Sequence, residues 1–319
     1  MSSINIELIV PPHCAGERLD RVAALLLPDF SRAELARWIT AGELTVDGRV
    51  VKPRNKVSGG EHLILVAQRS LREAWQEPQA LMLNVIYEDE DILVINKPAG
   101  LVVHPGAGNP SGTLVNGLLH HRPDLTRLPR AGVVHRLDKE TSGVMVVAGS
   151  EIAQLRLTRM IAARKVRREY VCLCEGRMVA GQTIDRAIGR DPHVRTRQAI
   201  REEGKHAVTV VRIRKRYRAH TLVDAHLETG RTHQIRVHMQ SIGYPLVGDR
   251  RYGARGKVPK GASSALVSTL HGFPRQALHA WQLAFTHPAS GMEVSFEAPW
   301  PKDIIGLASA LDADLVEGG

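Results

Sequence analysis

Residues 132–147, GVVHRLDKETSGVMVV, set four charged side chains between two apolar runs, and this stretch constrains the chain more than any other. Val133-Val134 and Val144 to Val147 have the character of buried strand, whereas Arg136, Asp138, Lys139 and Glu140 crowd a hairpin-like centre. An ionised group taken out of water must be paired or used. A fold that buries the flanking valines therefore delivers the charged centre to a turn or a cleft, which makes it a candidate site. Asp138, Glu140, Ser142 and Gly143 also suit a plain turn, since Asp, Ser and Gly favour turns on their own account.

A chain of 319 residues is long enough for two domains and a sizeable core, taking about 150 residues per domain. With 43% hydrophobic and 24% charged residues it reads as globular. Its net charge of +10 suits a polyanionic partner, of which nucleic acid is the commonest. The excess is concentrated: residues 155–218 carry 18 Lys and Arg against 6 Asp and Glu. Cys14, Cys172 and Cys174 are odd in number and form no CxxC, so they read as small apolar residues in a reducing compartment. The amino terminus lacks a basic start followed by a long apolar core, and no run approaches the roughly 18 apolar residues that span a bilayer. The expected location is cytoplasmic, with no membrane partner.

Residues 17–66 read as a small unit. Leu19, Val22, Ala23, Leu26 and Leu27 recur at helical spacing up to Pro28-Asp29. Ser31 and Glu34 form an S-x-x-E capping box that opens a second helix, with Leu35, Trp38 and Ile39 on its apolar side and Gly42 at its end. Leu44 to Val46 and Arg49 to Val51 flank Asp47-Gly48, a strong hairpin signal, and Leu63 to Val66 makes a last strand. Arg21, Arg32, Arg37, Lys52, Arg54 and Lys56 are placed in sequence to meet phosphates, although each alone suits an ordinary surface. Gln68 to Ala80 is polar and without a clear period. It reads as a linker, dividing the chain into a leading region 1–75 and a larger domain 76–319.

In the larger domain, Val85 to Tyr87 and Ile92 to Ile95 read as strands around an acidic turn. The loop NKPAGLVVHP at 96–105 follows, its path fixed by Pro and Gly. Residues 106–113 lack the Gly-Lys-Ser/Thr ending of a phosphate-cradling loop. Ser150 is placed to cap a helix, with Arg164-Lys165 in its last turn. Arg168-Glu169-Tyr170-Val171 reads as strand, where Tyr170 by itself suits a core position. Val211, Ile213 and Tyr217 alternate with Arg212, Arg214 and Arg216, the period of a strand with one apolar and one basic face, and that basic face is a candidate RNA contact. Residues 228–238, ETGRTHQIRVH, predict a helix with Thr232 as N-cap, Gly243 at its end and Pro245 beyond. On it His233 and His238 stand about 140° apart, so no metal site is expected. Residues 253–261 form a basic loop, and Leu307, Leu311 and Leu315 predict a packing helix at the end.

Three of these strings together resemble the motifs of the RluA-type pseudouridine synthases. HRLDKETSG at 135–143 resembles HRLDK(D/E)(T/S)(T/S)G, Arg168-Glu169-Tyr170 resembles (K/R)xY, and ETGRTHQIRVH resembles (E/T)TGRTHQIRVH. NKPxGxxVHP at 96–105, LxGDxxYG at 246–253 and ALHA at 277–280 extend the resemblance over nearly the whole chain. The leading unit resembles the alpha-L RNA-binding module. The resemblance implies an α+β protein: this module, then a catalytic domain built on a mixed, largely antiparallel β-sheet with flanking helices. It implies an enzyme that detaches uracil from ribose at N1, turns it and rejoins it through C5. No atom is gained or lost, so no cofactor is demanded.

By the same resemblance Asp138 is the nucleophile, Tyr170 packs against the target base, and Arg236 is the basic partner of Asp138, with Arg231 in reserve. A cation beside a carboxylate in a dry pocket favours its charged form. Arg136 would enter the space left by the target base, since a stacked uridine must be flipped out for C5 to be reached. HPGAGNP at 104–110 and the motif spacing resemble most the members that act on helix 69 of 23S rRNA, so the implied partner is 23S rRNA or the large ribosomal subunit. Glu140, Ser142 and Val144 stand where those members have Asp, Thr and Leu. Members that modify other 23S rRNA uridines or tRNA share the catalytic residues. The charge and leading module would also serve a non-catalytic RNA-binding or ribosome-assembly factor, while a hydrolase reading lacks an oxyanion or metal site. A monomer is the default expectation.

Overall fold

The segment INIEL near the amino terminus alternates apolar and polar residues, the period of a half-buried strand. In the computed structural model, which describes residues 2–28, 30, 32–69, 77–106, 108–194, 196–253 and 256–317, it forms β1 (Ser2–Ile9). The chain divides into two compact units, Met1–Glu73 and Ala74–Gly319.

In the first unit, β1 is followed by α1 (Leu19–Leu26), α2 (Arg32–Ala41), β2 (Leu44–Val46) and β3 (His62–Arg69). The strands form an antiparallel sheet in the order β1-β3-β2. The expected apolar stripes meet in one core: Leu19, Val22 and Ala23 of α1 with Leu35, Trp38 and Ile39 of α2, over Leu44, Leu63 and Leu65. Asp47-Gly48 turns with positive φ at both residues, as a two-residue hairpin turn requires. Arg49 to Val51 does not form the expected second strand. Only Arg49 bridges back to Val46, because β3 rather than this segment pairs with β2. The proposed cap at Ser31 lies outside the described residues.

The second unit opens with β4 (Val85–Glu88) and β5 (Ile92–Lys97), then α3 (Leu114–His121), β6 (Ser142–Ala148), α4 (Glu151–Ala162) and β7 (Arg167–Glu175). The short strands β8 (Gln182–Asp185), β9 (Ile188–Arg190) and β10 (Gln198–Ile200) lead to β11 (Val208–Arg216) and β12 (His220–Leu227). The chain continues through α5 (Gln234–Ser241), α6 (Ser264–Gly272), β13 (Leu278–Thr286), β14 (Glu293–Glu297) and α7 (Lys302–Glu317). Among the described residues the main sheet runs β4-β5-β6-β13-β7-β12-β11-β8, with β14 beside β13, while β9 and β10 pair separately. β6 and β13 pair in parallel and the other neighbours are antiparallel.

β7 shows why the sheet sits centrally. Tyr170, Cys172 and Cys174 face one core with Leu246, Ile235 and the β6 valines, while Val171 and Leu173 face a second core with α6 and α7. Strand side chains alternate between faces, so an apolar run that is buried throughout needs a layer on each side. In α7, Ile304, Leu307 and Leu311 are buried, but Leu315 is 36% exposed, since the helix runs past the core it packs on. Ser150 caps α4 by accepting from the Ala153 N–H. Arg164 and Lys165 follow the helix rather than occupy its last turn. Arg164 is left-handed, and the Lys165 and Arg164 N–H groups close back on the Met160 and Ile161 carbonyls.

Two glycines bracket the charged stretch. A Cβ on Gly132 would lie 2.0 Å from the Ala148 carbonyl oxygen, and one on Gly143 would lie 2.1 Å from that of Ala280. Both also adopt positive φ. Between them the chain leaves the β6 edge as a loop and returns to it, with Val133 bridging Val147.

Candidate active site

The loop between these glycines forms one wall of a cleft of about 1160 Å³. Its anchors are apolar or neutral. Leu137 is buried, and His135 accepts a hydrogen bond from the Val146 N–H at Nε2, 3.1 Å away. Burial, with Arg168 nearby, pushes His135 down to about 3, so the imidazole is neutral. The Asp138 carbonyl accepts from the Thr141 N–H, a turn that aims the Asp138 side chain into the cleft.

The opposite wall carries Arg236, in the first turn of α5. Gln234 fixes where this helix begins: its Oε1 accepts from the Arg231 N–H and the Thr229 hydroxyl, and its amide donates to the Val208 carbonyl. His233, not Thr232, precedes the helix, in a left-handed conformation with φ 57°. The Gln234 N–H, one of the donors that a Thr232 cap would take, is already bound by the Arg231 carbonyl at 3.1 Å.

Arg236 lies between two carboxylates. Its Nε and Nη2 donate to Asp249 at 2.7 and 2.9 Å, and its Nη1 donates to Asp138 Oδ2 at 3.1 Å. The Tyr252 ring lies against its other face at 4.9 Å. Burial works against the guanidinium charge, but Asp249 and then Asp138 outweigh it and raise its pKa. Asp249 is buried too. Burial pushes its pKa up, but Arg236 and the N–H groups of Arg251 and Tyr252 hold it below the ordinary value. Asp138 keeps 15% of its side chain exposed, and among the described residues its Oδ1 receives no hydrogen bond. Tyr170 lines the same cleft from the middle of β7, and burial pushes its phenol up to about 12.

Residues 91–241 match the family model for RNA pseudouridylate synthase, and residues 17–63 match that for the S4 domain. Ribosomal large subunit pseudouridine synthase D of Xanthomonas campestris pv. campestris is 51% identical over 310 residues, covering 97% of this chain and 93% of the relative. The protein of that name from Escherichia coli strain K12 is 49% identical over 315 residues, covering 98% and 96%. The chain belongs to the RNA pseudouridine synthase family. Solved structures agree with it. Human RNA pseudouridylate synthase domain containing 1 is 27% identical with a TM-score of 0.54, covering 73% of this chain and 89% of that one. Human RNA pseudouridylate synthase domain containing 4 is 25% identical with a TM-score of 0.56, covering 72% and 93%. No described helix of the synthase is long and apolar enough to cross a membrane.

Asp138, Tyr170 and Arg236 of the synthase thus share one cleft, together with exposed Arg136 and with Arg231, whose Nε donates to the His206 carbonyl. Arg212, Arg214 and Arg216, the basic face expected on β11, are all exposed. A bulge between Ile213 and Lys215 breaks the alternation. Arg214 pairs with Asp224 at 2.7 Å and lies over Trp281 and Trp300, and Arg216 donates to the Met178 and Val179 carbonyls. Arg212 is exposed on β11, and none of the three lines the cleft. In the first unit, Arg21 pairs with Glu17, Arg32 pairs with Asp20, and Arg37 is exposed.

Sequence reasoning missed three supports of this site. Asp249 was legible only as part of a tail motif. Lys97, fully buried, donates from Nζ to the carbonyls of Pro98, Leu101 and Lys139 at 2.6, 2.9 and 3.1 Å, tying the NKPAG loop to the residue after Asp138. Burial pushes Lys97 down to about 7 against the pull of Glu140 and Asp138. Arg168, also buried, donates to the Leu227 and Glu228 carbonyls and so holds the strand end that leads to α5. For Lys97 the available signal was a lysine ending an otherwise largely apolar strand.

Proposed function

We propose that the synthase isomerises uridines of 23S rRNA, in helix 69 of the large ribosomal subunit, with Asp138 as nucleophile and without a cofactor. The observation that carries this reading is the Asp138–Arg236–Asp249 arrangement. A buried arginine, neutralised on one side by Asp249, spends its remaining Nη1 donor on one oxygen of Asp138 and leaves the other facing the cleft. Names of relatives at about half identity over nearly the full length support the ribosomal substrate. The S4 domain supports RNA as partner, and the cytoplasm as the place of action is consistent with both.

In this reading the target uridine is flipped into the cleft, and Arg136 takes the space it leaves in the RNA. Asp138 promotes cleavage of the bond between N1 and C1′, by attack at C1′ or by removing the proton from C2′. Uracil turns within the cleft and C5 bonds to C1′, breaking the Asp138–C1′ bond in the first route and returning the proton from Asp138 to C2′ in the second. The C5 proton is then lost and N1 ends protonated, so the product is an isomer of the substrate. Tyr170, held as a neutral phenol, packs against the base during the turn.

The test is pseudouridine mapping of 23S rRNA and tRNA after incubation with the purified protein, beside Asp138→Asn. The expected result is signal in helix 69 that falls about 1000-fold or more in the variant. Signal elsewhere would keep the activity and overturn the site on the RNA, and near-normal turnover by Asp138→Asn would overturn the nucleophile.

A further inference from the structure

Arg236 accounts for one oxygen of Asp138, and a different side chain faces the other. The His233 Nε2 lies 4.0 Å from Asp138 Oδ1, too long for a hydrogen bond. The opposite ring nitrogen, Nδ1, lies 2.7 Å from the Tyr252 hydroxyl. That hydroxyl already accepts from the Gln198 N–H at 2.8 Å. Leaving no buried proton unpaired then requires Tyr252 to donate to Nδ1, which puts the imidazole proton on Nε2, towards Asp138. Burial, with Arg236 and Arg251 adding to it, holds His233 down at about 4 against the pull of Asp138, so the ring is neutral. The residue also occupies a left-handed conformation that a non-glycine residue adopts at a cost, and such conformations gather where a side chain must be aimed.

We propose that His233 is a positioning residue that fixes Asp138 Oδ1 as the reacting oxygen, its Nε2–H closing onto the carboxylate once the target nucleotide expels water from the cleft. The inference rests on Asp138 as nucleophile. Arg236 holds Oδ2 and the Tyr252 hydroxyl orients the imidazole, so closing the 4.0 Å gap clamps the carboxylate from two directions and stops its rotation about its last bond. Tyr252 serves both clamps, because its ring also lies against Arg236. A separation of 4.0 Å fits this role, since catalytic hydrogen bonds often tighten only when substrate is bound.

The experiment compares His233→Asn with His233→Gln in single-turnover pseudouridine formation and in RNA affinity, with Asp138→Asn and Tyr252→Phe alongside. Asn tolerates the left-handed backbone and can keep the Tyr252 contact, but its amide is too short to reach Asp138. Gln reaches about as far as Nε2. His233→Asn should lose about 100-fold in rate with RNA affinity nearly unchanged, the scale of a mispositioned reacting group. His233→Gln should recover most of that loss, and Tyr252→Phe should cost less than His233→Asn because it frees the tautomer without removing the donor. A purely structural role predicts that Asn does at least as well as Gln, and that outcome overturns the inference. A wild-type rate for His233→Asn with an inactive Asp138→Asn overturns it alone, whereas an active Asp138→Asn overturns the nucleophile reading whatever the His233 variants do.

Discussion

Both units of the synthase build a cluster of arginine and aspartate, in opposite proportions. In the first unit one carboxylate, Asp20, is shared by Arg18 and Arg32 at 3.0 and 2.8 Å, and both arginine side chains remain about half exposed. In the second unit one arginine, Arg236, is shared by Asp249 and Asp138, and the cluster is largely buried. Two exposed cations around a spent carboxylate leave positive charge in water, where it can meet a phosphate. Two carboxylates around a spent cation leave an acceptor in a cleft. Depth decides how much each arrangement matters, because exposed pairs are screened and buried charges are not.

The largest effect should follow from removing the buried anchor. Asp249→Ala removes the two-bond partner of buried Arg236, leaving it the single bond to Asp138, and should destabilise the protein by about 3–5 kcal/mol. Urea unfolding reads that loss, and a cost near that of an exposed pair would erase the contrast between the clusters.

Lys97 sharpens the same contrast through pH. The native state releases its proton near 7, whereas the unfolded chain holds it to the ordinary 10.5. Between those values the unfolded state binds more protons, so stability rises with pH through the native value. The stability difference between the wild type and Lys97→Met should therefore grow by about 3 kcal/mol from about pH 6 to 9. A flat difference would mean that the three carbonyls hold Lys97 charged throughout.

The smallest effect belongs to the cluster whose arginines are exposed. Asp20→Asn should cost at most about 1 kcal/mol. Burial raises the Asp20 pKa but Arg18 and Arg32 lower it further, so its contribution is present above the ordinary 3.8 and fades as pH falls through the lower native value. Freed arginines should leave RNA affinity and its salt dependence equal or greater, and a steep fall in affinity would show that Asp20 shapes the RNA-facing surface.

Much of the fold was legible because it rests on local periodicity. The stripes of α1 and α2, the Asp47-Gly48 turn, the strand pair β4–β5 and the Ser150 cap all follow from neighbours within one turn or one strand. β1 was overlooked although its alternation was present. Two features were misread for reasons the local string does not show: β3 rather than Arg49 to Val51 pairs with β2, and Leu315 lies past the core on which its helix packs. The candidate site was legible where motifs carried it, at Asp138, Tyr170 and Arg236, and illegible at Asp249, Lys97, Arg168 and His233, whose contributions are contacts.

The sequence by itself determined the family, the apolar layers and the residue types available for chemistry, since these depend on composition and short-range order. Only the tertiary structure decided that one oxygen of Asp138 is held and the other left to the cleft. Asp138 and Arg236 are 98 residues apart, and Arg236 and Asp249 are 13 apart. Their meeting depends on the point at which α5 starts and on the parallel seam of β6 and β13, and hydrogen-bond geometry set to a few tenths of an ångström is a property of the packed fold rather than of any string within it.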